Sequence, residues 1–214
     1  MIFRTPSTPL LSQADRDRIE RAIREVEART SGELVTVVAA QSDHYLFISL
    51  LYAAAGAFTI APVLWALDVT ANFLSLYVIQ IAAFLLLLLL LRWRPALMAL
   101  VPDSLQRLHA ERLAREQFVN LGLADTPERG GILLFVSMAE RYVEVIADRG
   151  IHERVSVGIW SKAVAAFAEP VKQGRIAEGY LAAIEILGNQ LVRQMPADPD
   201  NPNRFPDVLI ELPG

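Results

Sequence analysis

The sequence predicts an α/β fold interrupted by a two-helix transmembrane hairpin. Three observations lead there. Two uncharged apolar stretches occupy the middle of the chain, each close to the ~20 residues that cross a hydrocarbon core. On both sides of them, helices with an apolar stripe alternate with short strands rich in Val, Ile and Leu. Hydrophobic residues make up 53% of the chain and the mean hydropathy is +0.34, against roughly 45–50% apolar residues in ordinary soluble domains.

Taken in order, "SQADRDRIERAIREVEART" begins the first helix, with Ser12 and Asp15 spaced as a capping box. Ile19, Ile23 and Val26 form its apolar stripe, and Glu20/Arg24 and Glu25/Arg29 are i,i+4 pairs on the outer face. Gly32 stops this helix, and "ELVTVVAA", residues 33–40, follows as a strand.

Next come "LFISLLYAAAGAFTIAPVLWAL", residues 46–67, and "FLSLYVIQIAAFLLLLLLL", residues 73–91, joined by "DVTAN". Neither stretch has a polar face, as a core helix of a small domain would. The run Leu85–Leu91 alone favours insertion by about 2–4 kcal/mol. Trp65, Tyr77 and Trp93 suit the membrane interface, and Arg92 and Arg94 flank the second span as a topology signal and anionic-lipid contact. The linking "DVTAN" has no Lys or Arg, whereas Arg92, Arg94, Arg107, Arg112 and Arg115 follow the second span. This bias places both termini in the cytoplasm of a bacterial-type inner membrane. The N-terminal residues lack the apolar core of a signal peptide, so targeting is expected to come from within the chain.

Beyond the hairpin, Asp103 and Gln106 are the expected caps of a helix that runs to about Leu121 and stops at Gly122. Its inward face is Leu113, Ala114, Gln117, Phe118 and Leu121. "GGILLFVS" reads as a strand buried on both faces, and "RYVEVIA" as its antiparallel neighbour across the short 138–140 turn. Two helices follow: 155–173, bent at Pro170 with Ile159, Trp160, Val164 and Phe167 inward, and 176–195, with Tyr180, Leu181, Ile184, Leu187 and Leu191 inward. Gly179 and Gly188 suggest close helix packing there. In the Pro/Asp/Asn-rich tail, "DVLIEL" is either a docked edge strand or a loose end.

One strand before the hairpin leaves its backbone groups unpaired. Its natural partner is the 131–137 strand, with the 103–121 helix as crossover. The expected organisation is one discontinuous α/β domain, 12–44 with 103–195, a hairpin at 45–92 and a tail at 196–214. Such pairing requires an even number of membrane crossings.

With the elements in order, three segments carry a resemblance: "RIERAIREVEARTSGELVTVVAA", "REQFVNLGLADTPERGGILLFVSMAERYVEVIADRGI" and "AVAAFAEPVKQGRIAEGYLAAIEIL". Their sequence and order resemble the TPM domain family. The resemblance implies a three-layer α/β/α sandwich, often membrane-attached, in proteins linked to membrane-complex maintenance. Some relatives are acid phosphatases and some bind calcium. Family members commonly carry a Gly-x-Gly turn after the third strand; in "ADRGI" only Gly150 is retained.

The balance of 20 Lys+Arg against 24 Asp+Glu gives no basic field for nucleic acid. Absence of cysteine excludes disulfides, thiolate metal sites and cysteine nucleophiles. No Walker loop, dinucleotide fingerprint or Gly-x-Ser-x-Gly elbow occurs. His44, His109 and His152 are too scattered to share a metal. The strand order puts Asp43, His44 and the 138–140 turn at the membrane-facing end of the sheet. Ser31, Glu33, Asp125, Glu128, Arg129, Asp148, Arg149 and His152 gather at the opposite end. There Asp125, Glu128 and Asp148 offer the oxygen ligands that calcium or magnesium prefers, and Arg129 and Arg149 offer forks for a phosphate. The expected function is a cytosolic interaction or accessory module on a membrane anchor, its partners the lipid bilayer and another membrane protein. The alternative is a membrane-tethered, divalent-metal-dependent phosphatase.

Overall fold

The computed structural model describes residues 10–69, 72–126, 129–198 and 207–213. Along the chain run α1 (Gln13–Glu27), β1 (Glu33–Ala39), α2 (Leu46–Ala66), α3 (Phe73–Leu90), α4 (Arg94–Leu100), α5 (Asp103–Asn120), β2 (Gly131–Ser137), β3 (Tyr142–Ala147), α6 (Arg149–His152), α7 (Val157–Val171), α8 (Ile176–Gln194) and β4 (Leu209–Leu212). They form two compact units, Met1–Ser42 with Arg107–Gly214, and Asp43–Gln106.

In the first unit the strands lie in the order β3-β2-β1-β4. β1 pairs in parallel with β2 from Glu33↔Gly131 to Ala39↔Ser137, and in parallel with β4 on its other side. β3 is antiparallel to β2. β1 and β2 are paired on both edges and covered by helices on both faces, so every residue in them is buried, the arrangement that a continuous apolar run demands.

Alternation of side chains across the sheet divides the core into two layers. Leu34, Val38, Ile132, Leu134 and Leu209 face Ile19, Ile23 and Val26 of α1, with Tyr180, Ile184, Leu187 and Leu191 of α8. Val35, Val37, Leu133 and Phe135 face Ala114 and Phe118 of α5. The unit is therefore an α/β/α sandwich. Each of these fully buried Leu, Ile or Phe side chains contributes about 1.5–3 kcal/mol.

Several local devices hold the layers. Ser12 caps α1, its hydroxyl accepting from the Asp15 amide at 3.1 Å. Two glycines of α8 allow neighbouring helices close: a Cβ on Gly188 would meet Val26 Cγ2 at 2.4 Å, and one on Gly179 would meet the Phe167 carbonyl at 2.7 Å. Pro170 lies in the last turn of α7. The tail's apolar end is an edge strand of the sheet. β4 extends its ladder by the Ala40 amide donating to Leu212 O at 3.2 Å, and Glu211 pairs with Arg16 at 2.8 Å.

Two short helices were not legible in the sequence. α6 covers residues expected as loop, and α4 follows α3 directly. Gln106 does not cap α5 as expected. Its side-chain amide reaches back and donates to Met98 O at 3.0 Å and Val101 O at 2.9 Å, closing the C-terminal end of α4.

In the second unit α2 and α3 pack against each other, close enough that a Cβ on Gly56 would lie 2.7 Å from Leu87 Cδ1. Asn72 caps α3 by accepting from the Leu74 amide at 2.9 Å. Both helices are long and apolar enough to cross a membrane. Their outward faces are apolar too: Phe58 is 70% exposed and Phe73 83%. Trp65 and Tyr77 lie near the link between the two helices, and Arg92, Trp93 and Arg94 lie at the far end of α3, all exposed.

Candidate functional site

Parallel pairing of β1, β2 and β4 gives the sheet two chemically different ends. At the N-terminal end of β1 and β2, register places Glu33 beside Gly131, and the Asp148 amide donates to Gly131 O at 2.8 Å. The Ile151 amide donates to Arg129 O at 3.1 Å. Ser31, Glu33, Arg129 and Asp148 thus gather at one end of the sheet, as the strand order implies. Asp125 is exposed at the end of a 3-10 turn, Leu123–Asp125, and Glu128 lies outside the described residues.

Asp148 caps α6: one carboxylate oxygen accepts from the Arg149 amide at 2.6 Å. Its other oxygen is buried without a partner among the described residues. Arg149 is turned to Glu153, Nε to Oε1 2.7 Å, so the hydrogen bond and charge of the pair raise the arginine and lower the glutamate. Arg129 is exposed with a left-handed backbone at φ 51°. Among the described residues, no three His, Asp or Glu side chains are grouped to hold a metal ion. His152 stacks on Trp160, ring centroids 6.2 Å apart.

The most perturbed carboxyl here was not legible in the sequence. Glu27, in the last turn of α1, accepts from the Leu34 amide at 3.0 Å. Burial, then a hydrogen bond with Asp207, then the charges of Asp207 and Glu33 push its carboxyl up to about 9. The group is a protonated acid at neutral pH, a donor among acceptors. Asp207 stands two residues before β4, so no local spacing links it to Glu27.

At the C-terminal end of the sheet a half-buried hydroxyl chain ties the exits of β1 and β2 together. Ser42 Oγ donates to Ser137 Oγ at 2.8 Å, and Ser137 in turn donates to Glu140 Oε2. Glu140 Oε1 accepts from the Ser42 amide at 2.9 Å. Ser137 is fully buried, which makes the trio a clamp on the point where the chain leaves the sheet. The amides of Met138 and Ala139 continue the ladder onto Ala39 O and Ala40 O. Beside this clamp lies a cavity of about 610 Å³ between the 138–141 turn, the start of β3 and the last turns of α7. Crevices beyond the carboxyl ends of strands are the usual ligand sites of open α/β sheets.

The family model described as the TPM domain matches residues 96–190. No curated protein matches the chain. Among solved structures, the NMR structure of BA42 protein from the psychrophilic bacterium Bizionia argentinensis is similar at TM-score 0.59 and 18% identity. The match covers 95% of this chain and 96% of that one, a likeness of fold.

Proposed function

We propose, from the match of residues 96–190 to the TPM domain model, that this chain is an integral membrane protein whose domain serves as an interaction or accessory module in the maintenance of a membrane complex. The membrane is a bacterial-type inner membrane, crossed twice, with both termini cytoplasmic. One observation carries the membrane half of this reading. Two uncharged helices, packed on each other and apolar on their exposed faces, are inserted between strands that are hydrogen-bonded neighbours. Whatever crosses a bilayer between paired strands crosses it an even number of times, so both flanks stay on one side. At 1.5 Å per residue an 18-residue α3 spans about 27 Å, close to the ~30 Å hydrocarbon core. The partner is another membrane protein reached from the cytoplasmic side.

The test is a mild-detergent pull-down with partners identified, paired with protease accessibility in sealed vesicles. Cleavage of both termini from the cytoplasmic side and co-purification of a membrane protein are the expected results. A monomer freely soluble in water, or termini in different compartments, overturns the reading.

A second reading, the metal-dependent phosphatase, is favoured by the buried Asp148 oxygen that has no partner among the described residues, at the sheet end that also carries Asp125 and Arg129. Asp125, Glu128 and Asp148 would hold calcium or magnesium, with Arg129 and Arg149 on the phosphate. A ligand at 100 times its Kd stabilises the fold by about 2.7 kcal/mol. An unchanged melting temperature at millimolar metal removes this reading, as does any phosphatase activity that survives intact in Asp148→Asn.

A further inference from the structure

The cavity at the C-terminal end of β2 has the makings of a binding site. Its volume of about 610 Å³ falls within the range of roughly 300–1,000 Å³ typical of small-molecule sites. Val136, Val143, Phe167 and Val171 make its walls largely apolar, the Ser137 and Tyr142 hydroxyls beside them already donate to Glu140 and Glu144, and among the described residues no carboxylate lines it. Two cations do, Arg141 and Lys172. Lys172 Nζ lies 3.1 Å from Glu169 Oε2 and stands at the carbonyl end of α7, where partial negative charge already attracts it. Arg141 is different. It sits exposed at the tip of the turn with φ 50°, and among the described residues no acid pairs with its guanidinium.

An apolar chamber with one uncommitted guanidinium selects for a ligand with an apolar body and a single anionic head. A sugar phosphate would leave most of its hydroxyls without partners against the valines and Phe167, an unfavourable burial. A neutral lipid would leave the guanidinium unused. A carboxylate accepts two parallel N–H donors from an arginine, the strongest geometry available to that side chain. We propose that this cavity binds a single-chain anionic amphiphile of the fatty-acid class, its acyl chain between α7 and β3 and its carboxylate on Arg141, with Lys172 adding positive field. The site lies wholly within the first unit and stands independently of the membrane reading.

The experiment uses the full chain in phosphatidylcholine nanodiscs with a diazirine-bearing palmitate, irradiated and mapped by peptide mass spectrometry. Adducts are expected within 136–143 and 167–172, displaced by excess palmitate and left in place by palmityl alcohol. Arg141→Gln, at an exposed position, should weaken labelling there about tenfold, the loss of a charge-assisted hydrogen bond. Ala168→Trp should fill the chamber and abolish it. Adducts confined to 46–91, wild-type labelling in Arg141→Gln, or equal displacement by the alcohol each overturn the proposal. Adducts confined to 46–91 would leave the membrane reading standing while removing this one.

Discussion

Glu27 keeps its proton at neutral pH because burial and the neighbouring Asp207 and Glu33 penalise its charged form. Its carboxyl moves from 4.5 to about 9, so between those values the folded chain holds a proton that the unfolded chain has released. Stability from this group is complete below pH 4.5 and drains away as pH rises toward 9. Thermal melts of wild type and Glu27→Gln across that window should diverge, with the variant losing less stability as pH rises. Parallel curves would mean that the carboxyl is ionised throughout. A steric case stands one residue away on α1, where Val26 meets Gly188 of α8. Gly188→Ala drives a methyl into Val26, and overpacking of this kind costs about 1–3 kcal/mol. Val26→Ala alone should also destabilise, yet in the Gly188→Ala background its cost should shrink, a non-additivity that a double-mutant cycle measures.

Among the elements, β4 shows how a short terminal segment acquires a structural role. Its four residues pair with the outer edge of β1, which otherwise would expose a row of unpaired amides and carbonyls. Leu209 is 3% exposed in the α1/α8 layer, and Glu211 joins Arg16 at 2.8 Å while accepting from the Leu10 amide at 3.4 Å. Truncation after residue 206 should therefore lower the melting temperature and cost the β1 amides their hydrogen-exchange protection on that side. Unaltered protection of residues 36–40 would show that β4 contributes nothing. The sequence permitted this strand without requiring it: "DVLIEL" has strand composition, but its partner is fixed by an edge that only the assembled sheet offers. The reverse holds for Gln106. Its position suggested a cap for the helix it belongs to, and the nearer carbonyls of α4 claimed its amide instead.

For the molecule as a whole, the division into a sandwich and an apolar helical unit governs behaviour. Ile81 and Leu85 are one helical turn apart near the middle of α3, 44% and 58% exposed. In a bilayer each replacement by arginine costs roughly 2.5–3.5 kcal/mol at a helix centre. The double variant Ile81→Arg, Leu85→Arg should leave the carbonate-resistant membrane fraction or be degraded, whereas wild type remains in it. Identical fractionation of the two proteins would mean that α3 does not cross lipid.

Apart from the short α4 and α6, and β4, which it only permitted, the sequence alone determined the element types, their order, the antiparallel β2–β3 pair and the uncharged helical pair. Each of these rests on local periodicity or on stretches of uniform hydropathy, which a single chain displays in full. Tertiary structure alone decided the rest: Glu27 beside Asp207, Val26 against Gly188, Ser42 bonded to Ser137, and Arg141 at the mouth of an apolar cavity. Periodicity tells a side chain which face to bury, but nothing in it names the residue waiting on the other side. That choice belongs to packing between segments far apart in the chain.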